Sequence, residues 1–130
     1  YSRPALFNST DTICLLDNDP AVLKGMIRLL SSAGWNVKEF SAPEEFLVYA
    51  RTHRPPIAVI DVWMPVMSGL EVQSRLRQIS PSTRVIIFTG KEDPLVRSAA
   101  LNGGASAFFT KPFDDEEFLT AIRMALAAVN

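Results

Sequence analysis

Residues 57–61 read IAVID, and this short stretch indicates the fold class of the whole chain. Its four apolar residues follow one another without polar alternation, which is typical of a strand with both faces buried. Residues 85–88, with the sequence VIIF, repeat the pattern. Strands of this kind occur in parallel sheets that carry helices on both faces. The sequence therefore predicts an α/β protein built on a parallel sheet.

Short apolar runs alternate with longer amphipathic stretches along the chain, which predicts five strand–helix units joined by right-handed crossovers. Capping residues and prolines mark the helix starts, while glycines and proline pairs mark the ends. The predicted strands cover residues 12–16, 36–40, 57–60, 85–88 and 107–109. The predicted helices run from Asp19-Pro20 to about Ala33, from the capping box Ser41-Ala42-Pro43-Glu44 to Pro55, from Ser68 to about Ile79, from Asp93 to Asn102, and from Asp114 to about Val129.

The bulk properties of the chain exclude several classes of function. Its 130 residues fit one domain, and 13 basic against 14 acidic residues leave no positive field for nucleic acid. No apolar stretch approaches the roughly 20 residues of a membrane span. The single cysteine, Cys14, excludes an internal disulfide and a multi-cysteine zinc site. We expect a soluble cytoplasmic domain that by itself binds neither nucleic acid nor membranes.

Polar residues suited to phosphoryl chemistry follow four of the five predicted strands. In parallel α/β sheets the carboxyl ends of the strands meet at one edge, where ligands bind. Carboxylates hold Mg²⁺ and can act as nucleophiles, whereas a hydroxyl and an ammonium group bind phosphoryl oxygens. The sequence therefore predicts a site for Mg²⁺ and a phosphoryl group, made of Asp17, Asn18 and Asp19 after the first strand, Asp61 after the third, Thr89 after the fourth and Lys111 after the fifth.

Four sequence motifs make the assignment more specific: LLDNDP at 15–20, VIDVWMPVMSGLE at 59–71, IIFTG at 86–90, and the GAS…KPF run at 104–113. With them the chain resembles, from about Thr12 to Val129, the receiver domain of bacterial two-component response regulators, the CheY-like family. The resemblance implies a flavodoxin-like (βα)5 fold, a doubly wound parallel sheet of five strands in the order 2-1-3-4-5. It also implies an N-terminal tail at residues 1–11 and a single receiver domain at residues 12–130, taken from a longer regulator.

The same resemblance implies a function, the Mg²⁺-dependent transfer of a phosphoryl group from a sensor histidine kinase to Asp61. Such a domain is a signalling switch in transcription regulation and not an enzyme, since it assists only its own phosphorylation and dephosphorylation. Its output face is formed by the fourth helix, the fifth strand and the fifth helix, through which a homodimer can form. We further expect a helix-turn-helix DNA-binding domain after Asn130, or else a stand-alone or hybrid-kinase receiver.

Carried over residue by residue, the family roles fall on positions at the strand ends. Thr89 and Lys111 would assist the phosphoacceptor Asp61, and Thr89 with Phe108 would form the switch pair. The Lys111-Pro112 peptide bond is expected to be cis. The implied Mg²⁺ ligands are Asp17, Asn18, Asp61 and the backbone carbonyl of Trp63.

The chain departs from the family pattern at two of these positions. Asn18 stands where a second acidic residue is usual, and the loss of one charge should weaken Mg²⁺ binding. Asp19 could compensate, but its place before Pro20 favours a helix cap. Phe108 replaces the more familiar tyrosine, so packing alone must set the position of the ring. Trp63 and Lys91 flank the expected site. They are either ordinary surface residues or residues that control the access of water to an acyl phosphate.

Two other functions stay open on the sequence. The pair Asp17 and Asp19 resembles the opening motif of haloacid dehalogenase-type phosphatases, but this reading leaves the segment after Asp61 unexplained. The second alternative is a pseudo-receiver that acts as an interaction module without phosphate, and Asn18 is the feature that supports it. A phosphate-independent module would not need Asp61, Thr89 and Lys111 together.

Overall fold

A computed structural model describes residues 12–127 of the chain. Five short strands form one sheet, and each is followed by a helix that packs on one of its faces. The strands are β1 (Thr12–Leu16), β2 (Asn36–Phe40), β3 (Ile57–Asp61), β4 (Arg84–Thr89) and β5 (Ala107–Thr110). The helices are α1 (Pro20–Ser32), α2 (Pro43–His53), α3 (Gly69–Ile79), α4 (Pro94–Asn102) and α5 (Asp115–Ala127). The predicted tail at residues 1–11, and the predicted end of the last helix near Val129, lie outside the described residues.

The sheet is parallel throughout and has the strand order β2-β1-β3-β4-β5, which confirms the predicted fold. The chain leaves β1 toward β2 on one side and returns to β3 on the other. Helices therefore diverge from the carboxyl ends of β1 and β3, and a crevice opens between them. This crevice is where the fold places the residues that follow these two strands.

The strands have two buried faces, as their continuous apolar sequences predict. In β1, Ile13 and Leu15 belong to one core cluster and Cys14 and Leu16 to another on the opposite face, since side chains alternate along a strand. Burial raises the pKa of the Cys14 thiol to about 12, so this cysteine is an inert core residue. Within residues 12–127, no helix is both long enough and apolar enough to cross a membrane.

Side-chain caps begin α1, α3, α4 and α5 where the sequence predicts them. The predicted capping box at Ser41–Glu44 is wrong, because α2 has Ala42 as its N-cap residue and no side-chain cap. With Ser41 as N-cap, Pro43 would occupy the second helical position, whereas proline is favoured at the first. The helix starts one residue later, which places Pro43 at the first position, where no N–H is required.

Candidate functional site

An open cleft of about 520 Å³ lies at the carboxyl ends of the strands, between β1 and β3. The side chains that reach it come from the loops after β1, β3, β4 and β5. These segments are far apart in sequence, and the parallel sheet brings them to one edge. The cleft is lined by Asp17, Asn18, Asp19, Pro20, Asp61, Trp63, Gly90, Lys91 and Lys111.

Two buried carboxylates and one lysine form the centre of the cleft. Asp17 is 1% exposed and Asp61 is 5% exposed. The Lys111 Nζ lies 3.6 Å from Asp17 Oδ2 and 3.9 Å from Asp61 Oδ1, so one cation faces both acids. Asp17 Oδ1 accepts a hydrogen bond of 3.0 Å from the Asp19 backbone N–H. Asp17 Oδ2 is buried without a hydrogen-bond partner, although buried polar atoms are normally paired.

The electrostatics of this centre favour a further cation. Burial and the neighbouring charge of Asp17 raise the pKa of Asp61 to about 6, and Lys111 acts in the opposite direction. The two carboxylates thus carry more negative charge than Lys111 offsets. A hard divalent cation would remove this imbalance and coordinate the Asp17 oxygen that has no hydrogen-bond partner.

Asp19 performs the capping role that its position predicts. Its Oδ1 accepts a hydrogen bond of 2.9 Å from the Ala21 backbone N–H at the start of α1. Asp19 therefore lines the cleft with a carboxylate already engaged as a cap. The described residues contain no group of three or more His, Cys, Asp or Glu side chains suited to a metal. Asn18, an exposed residue, lines the same cleft with an amide in place of a carboxylate.

Thr89 and Phe108 lie next to the cleft but do not line it. Thr89 is fully buried, and its hydroxyl donates to the Lys91 carbonyl and accepts from the Lys91 N–H, both at 3.2 Å. The Phe108 ring is 8% exposed, and the Arg97 guanidinium lies 4.6 Å from its centroid. The predicted switch pair is therefore not part of the cleft lining.

The loop after β3 approaches the backbone of Asp61 very closely. The Gly69 N–H donates a hydrogen bond of 2.8 Å to the Val62 carbonyl. A Cβ atom at position 69 would lie 2.1 Å from the Asp61 carbonyl oxygen, so only glycine fits there. In the sequence this glycine is visible as part of a motif, but its contact with Asp61 is not. The Lys111-Pro112 peptide bond is cis, as expected.

The chain is similar to known proteins in both sequence and fold. The sequence model of the response regulator receiver domain matches residues 13–123. The chain belongs to this family. As a receiver domain it is 40% identical, over 114 residues, to the response regulator protein TodT of Pseudomonas putida. That match covers 88% of this chain and 50% of TodT, so the chain spans about half the length of this relative.

Solved structures share the fold. The crystal structure of FixJ-N is 30% identical with a TM-score of 0.86, and the match covers 94% of this chain and 98% of that one. A BeF3-activated DrrB receiver domain is 29% identical with a TM-score of 0.80, and the match covers 89% of this chain and 97% of that one. This receiver domain is therefore part of the two-component signalling family, and its candidate site lies at the carboxyl edge of a sheet that it shares with those structures.

Proposed function

We propose that this receiver domain accepts a phosphoryl group on Asp61 from a sensor histidine kinase, in a Mg²⁺-dependent reaction. The observation that carries the proposal is the pair of buried carboxylates, Asp17 and Asp61, facing the single Lys111 ammonium. Burying a carboxylate beside another acid and a lysine costs free energy of desolvation, and such groups cluster at functional sites. The domain acts as a switch in the cytoplasm and not as an enzyme with its own substrate turnover.

The side chains fit a bound Mg²⁺. Mg²⁺ prefers oxygen ligands, and it would be held by the Asp17 and Asp61 carboxylates, the Asn18 amide oxygen and the Trp63 backbone carbonyl. When bound, the ion would offset the negative charge of the carboxylates and of an incoming phosphoryl group.

The reaction needs few further groups from the protein. An Asp61 carboxylate oxygen attacks the phosphorus of a phosphohistidine, the P–O bond forms as the P–N bond breaks, and the histidine keeps the electron pair. Lys111 is placed to pair with a phosphoryl oxygen by charge. The Thr89 hydroxyl would leave the Lys91 backbone to donate a hydrogen bond to the same group. Trp63, which is 50% exposed, and the exposed Lys91 line the cleft and would limit the access of water.

Intact mass spectrometry after incubation with acetyl phosphate and Mg²⁺ tests the proposal. We expect one phosphoryl group per chain, and a chain that stays unmodified would overturn it. A phosphate-independent pseudo-receiver would not be labelled. A phosphatase using Asp17 and Asp19 would instead hydrolyse a generic phosphate ester, but the capping bond of Asp19 weighs against this alternative.

Asn18→Asp is expected to tighten Mg²⁺ binding by about tenfold or more, because two unit charges about 4 Å apart interact by up to about 4 kcal/mol at an effective dielectric of 20. Trp63 lines the cleft, so intrinsic fluorescence can follow the titration. Asn36→Asp, which adds the same charge at the start of β2, is the control. Equal affinities of the Asn18→Asp and wild-type proteins would show that residue 18 does not bind the ion.

A beryllofluoride mimic of the phosphoryl group is expected to promote homodimerisation through α4, β5 and α5. The face carries Leu95, which is 82% exposed, beside charged Lys91 and Arg97, a mixture suited to a weak and regulated contact. We expect the dimer dissociation constant to fall by about tenfold or more, equivalent to about 1.4 kcal/mol.

Sedimentation velocity with and without the mimic measures this change. Thr89→Ala should bind the mimic without dimerising, whereas Thr89→Ser keeps the hydroxyl and should behave like the wild type. An unchanged mass at saturating mimic would leave a monomeric switch.

Because the chain covers half of TodT, we further propose that it controls an attached output domain, as part of a transcription regulator.

A further inference from the structure

Four side chains beside the cleft form a connected group, which we call the Glu92 clasp: Glu92, Arg97, Phe108 and Thr110. The Arg97 Nε and Nη2 donate to the two oxygens of the Glu92 carboxylate at 3.1 and 2.9 Å. The Thr110 hydroxyl donates to the same carboxylate. The Arg97 guanidinium also covers the face of the Phe108 ring, 4.6 Å from its centroid. One carboxylate thus joins a loop, a helix and a strand.

The clasp connects the two segments that carry the candidate switch residues. Glu92 directly follows Lys91, whose backbone N–H and carbonyl hold the Thr89 hydroxyl. Thr110 directly precedes Lys111, the lysine that faces the carboxylates. A movement of Thr89 away from Lys91 would therefore displace the loop on which Glu92 lies.

Helix α4 depends on such polar contacts because it buries little. Of its residues, all within the described part of the chain, Ala100 alone is buried. Near its end, Gln73 Nε2 donates a hydrogen bond of 2.9 Å to the Ala100 carbonyl. Near its start, the clasp ties Arg97 to Glu92 and, through it, to β5. Elements with few buried apolar contacts are those that move at low cost in free energy.

We propose that the Glu92 clasp is a latch on the resting form of the domain, which keeps Thr89 bonded to Lys91 and Phe108 covered by Arg97. The inference rests on the proposed function, since it assigns the clasp to the form without a phosphoryl group. A contact made in one of two states stabilises that state, so its removal shifts the equilibrium toward the other. Hydrogen bonds from Arg97 and Thr110 lower the pKa of Glu92 to about 2, so its carboxylate is ionised at neutral pH.

Two variants open the clasp in different ways. Thr110→Val removes one hydroxyl at nearly constant shape, and Glu92→Ala removes the carboxylate. The matched control is Glu71→Ala, which breaks the exposed Arg75–Glu71 pair on α3, whose 2.9 Å distance equals that of the Arg97–Glu92 pair. Beryllofluoride is titrated at fixed Mg²⁺ by intrinsic fluorescence. We expect the half-saturating concentration of beryllofluoride to fall about two- to fivefold in both clasp variants and to stay unchanged in Glu71→Ala. A change of this size corresponds to the free energy that an exposed charge pair contributes.

Hydrogen exchange of residues 92–102 without the mimic gives a second readout that does not depend on phosphorylation. We expect faster exchange in both clasp variants and wild-type exchange in Glu71→Ala. Unchanged or higher half-saturation in the clasp variants would overturn the latch, as would exchange equal to the wild type. An equal shift in the control would also overturn it. A wild-type protein that binds no beryllofluoride would instead defeat the proposed function, which is a distinguishable result.

Discussion

Replacement of Asp61 by asparagine is expected to reduce phosphoryl labelling by at least about a thousandfold, to the background level, as removal of a nucleophile does in other active sites. The amide has nearly the same shape as the carboxylate but lacks a nucleophilic oxygen anion. The fold should survive the change. Because burial and Asp17 raise the pKa of Asp61, its ionised form at neutral pH is disfavoured by folding. The variant should be at least as stable as the wild type at pH 7, and Lys111 keeps Asp17 as its partner.

The measurement is intact mass after incubation with acetyl phosphate and Mg²⁺, with thermal unfolding followed in parallel. Asp115→Asn is the matched control, since it makes the same chemical change at an exposed position in the first turn of α5 and should be labelled normally. Equal labelling of Asp61→Asn and wild-type protein would place the phosphoryl group on another residue. Loss of labelling with loss of folding would leave the chemical role of Asp61 to be tested through Asp61→Glu.

Replacement of Gly69 by alanine is expected to lower the free energy of unfolding by about 3 kcal/mol or more, beyond the usual range for a single added methyl group. The added Cβ would lie 2.1 Å from the Asp61 carbonyl oxygen, 2.8 Å from the Asp61 carbonyl carbon and 2.9 Å from the Val62 Cα. All three are backbone atoms, so no side-chain rotation can relieve the contact. The end of β3 or the start of α3 must move instead, and Asp61 would move with it.

Urea unfolding measures the loss of stability, and mass labelling measures the displacement of Asp61. The control is Gly25→Ala within α1, where an added Cβ meets no atom within 4 Å. That change should stabilise the protein by up to about 1 kcal/mol, the helix propensity difference between alanine and glycine. A Gly69→Ala protein with wild-type stability and labelling would mean that the β3–α3 loop can rearrange without cost.

The fold class and most of the cleft were predictable from local sequence features. Continuous apolar runs such as residues 57–60 predict strands buried on two faces, and alternation with helices predicts a parallel sheet. The carboxyl ends of such strands share one edge, so the sequence predicts that Asp17, Asp61 and Lys111 lie close together. They do meet in the cleft. The capping role of Asp19 is predictable for a different reason, since a cap depends only on its immediate neighbours along the chain.

Other features depend on contacts between segments that are distant in sequence. Glu92 and Thr110 are 18 residues apart and show no shared pattern, yet the pairing of β4 with β5 brings them into contact. The Thr89 hydroxyl exchanges two hydrogen bonds with the Lys91 backbone, a choice of partner that the sequence does not specify. Val66, a β-branched residue, has φ 74°, a conformation that the loop after β3 imposes against local preference. Periodicity and capping report on neighbours along the chain, whereas these contacts are set by strand register and loop closure, which form only when the sheet assembles.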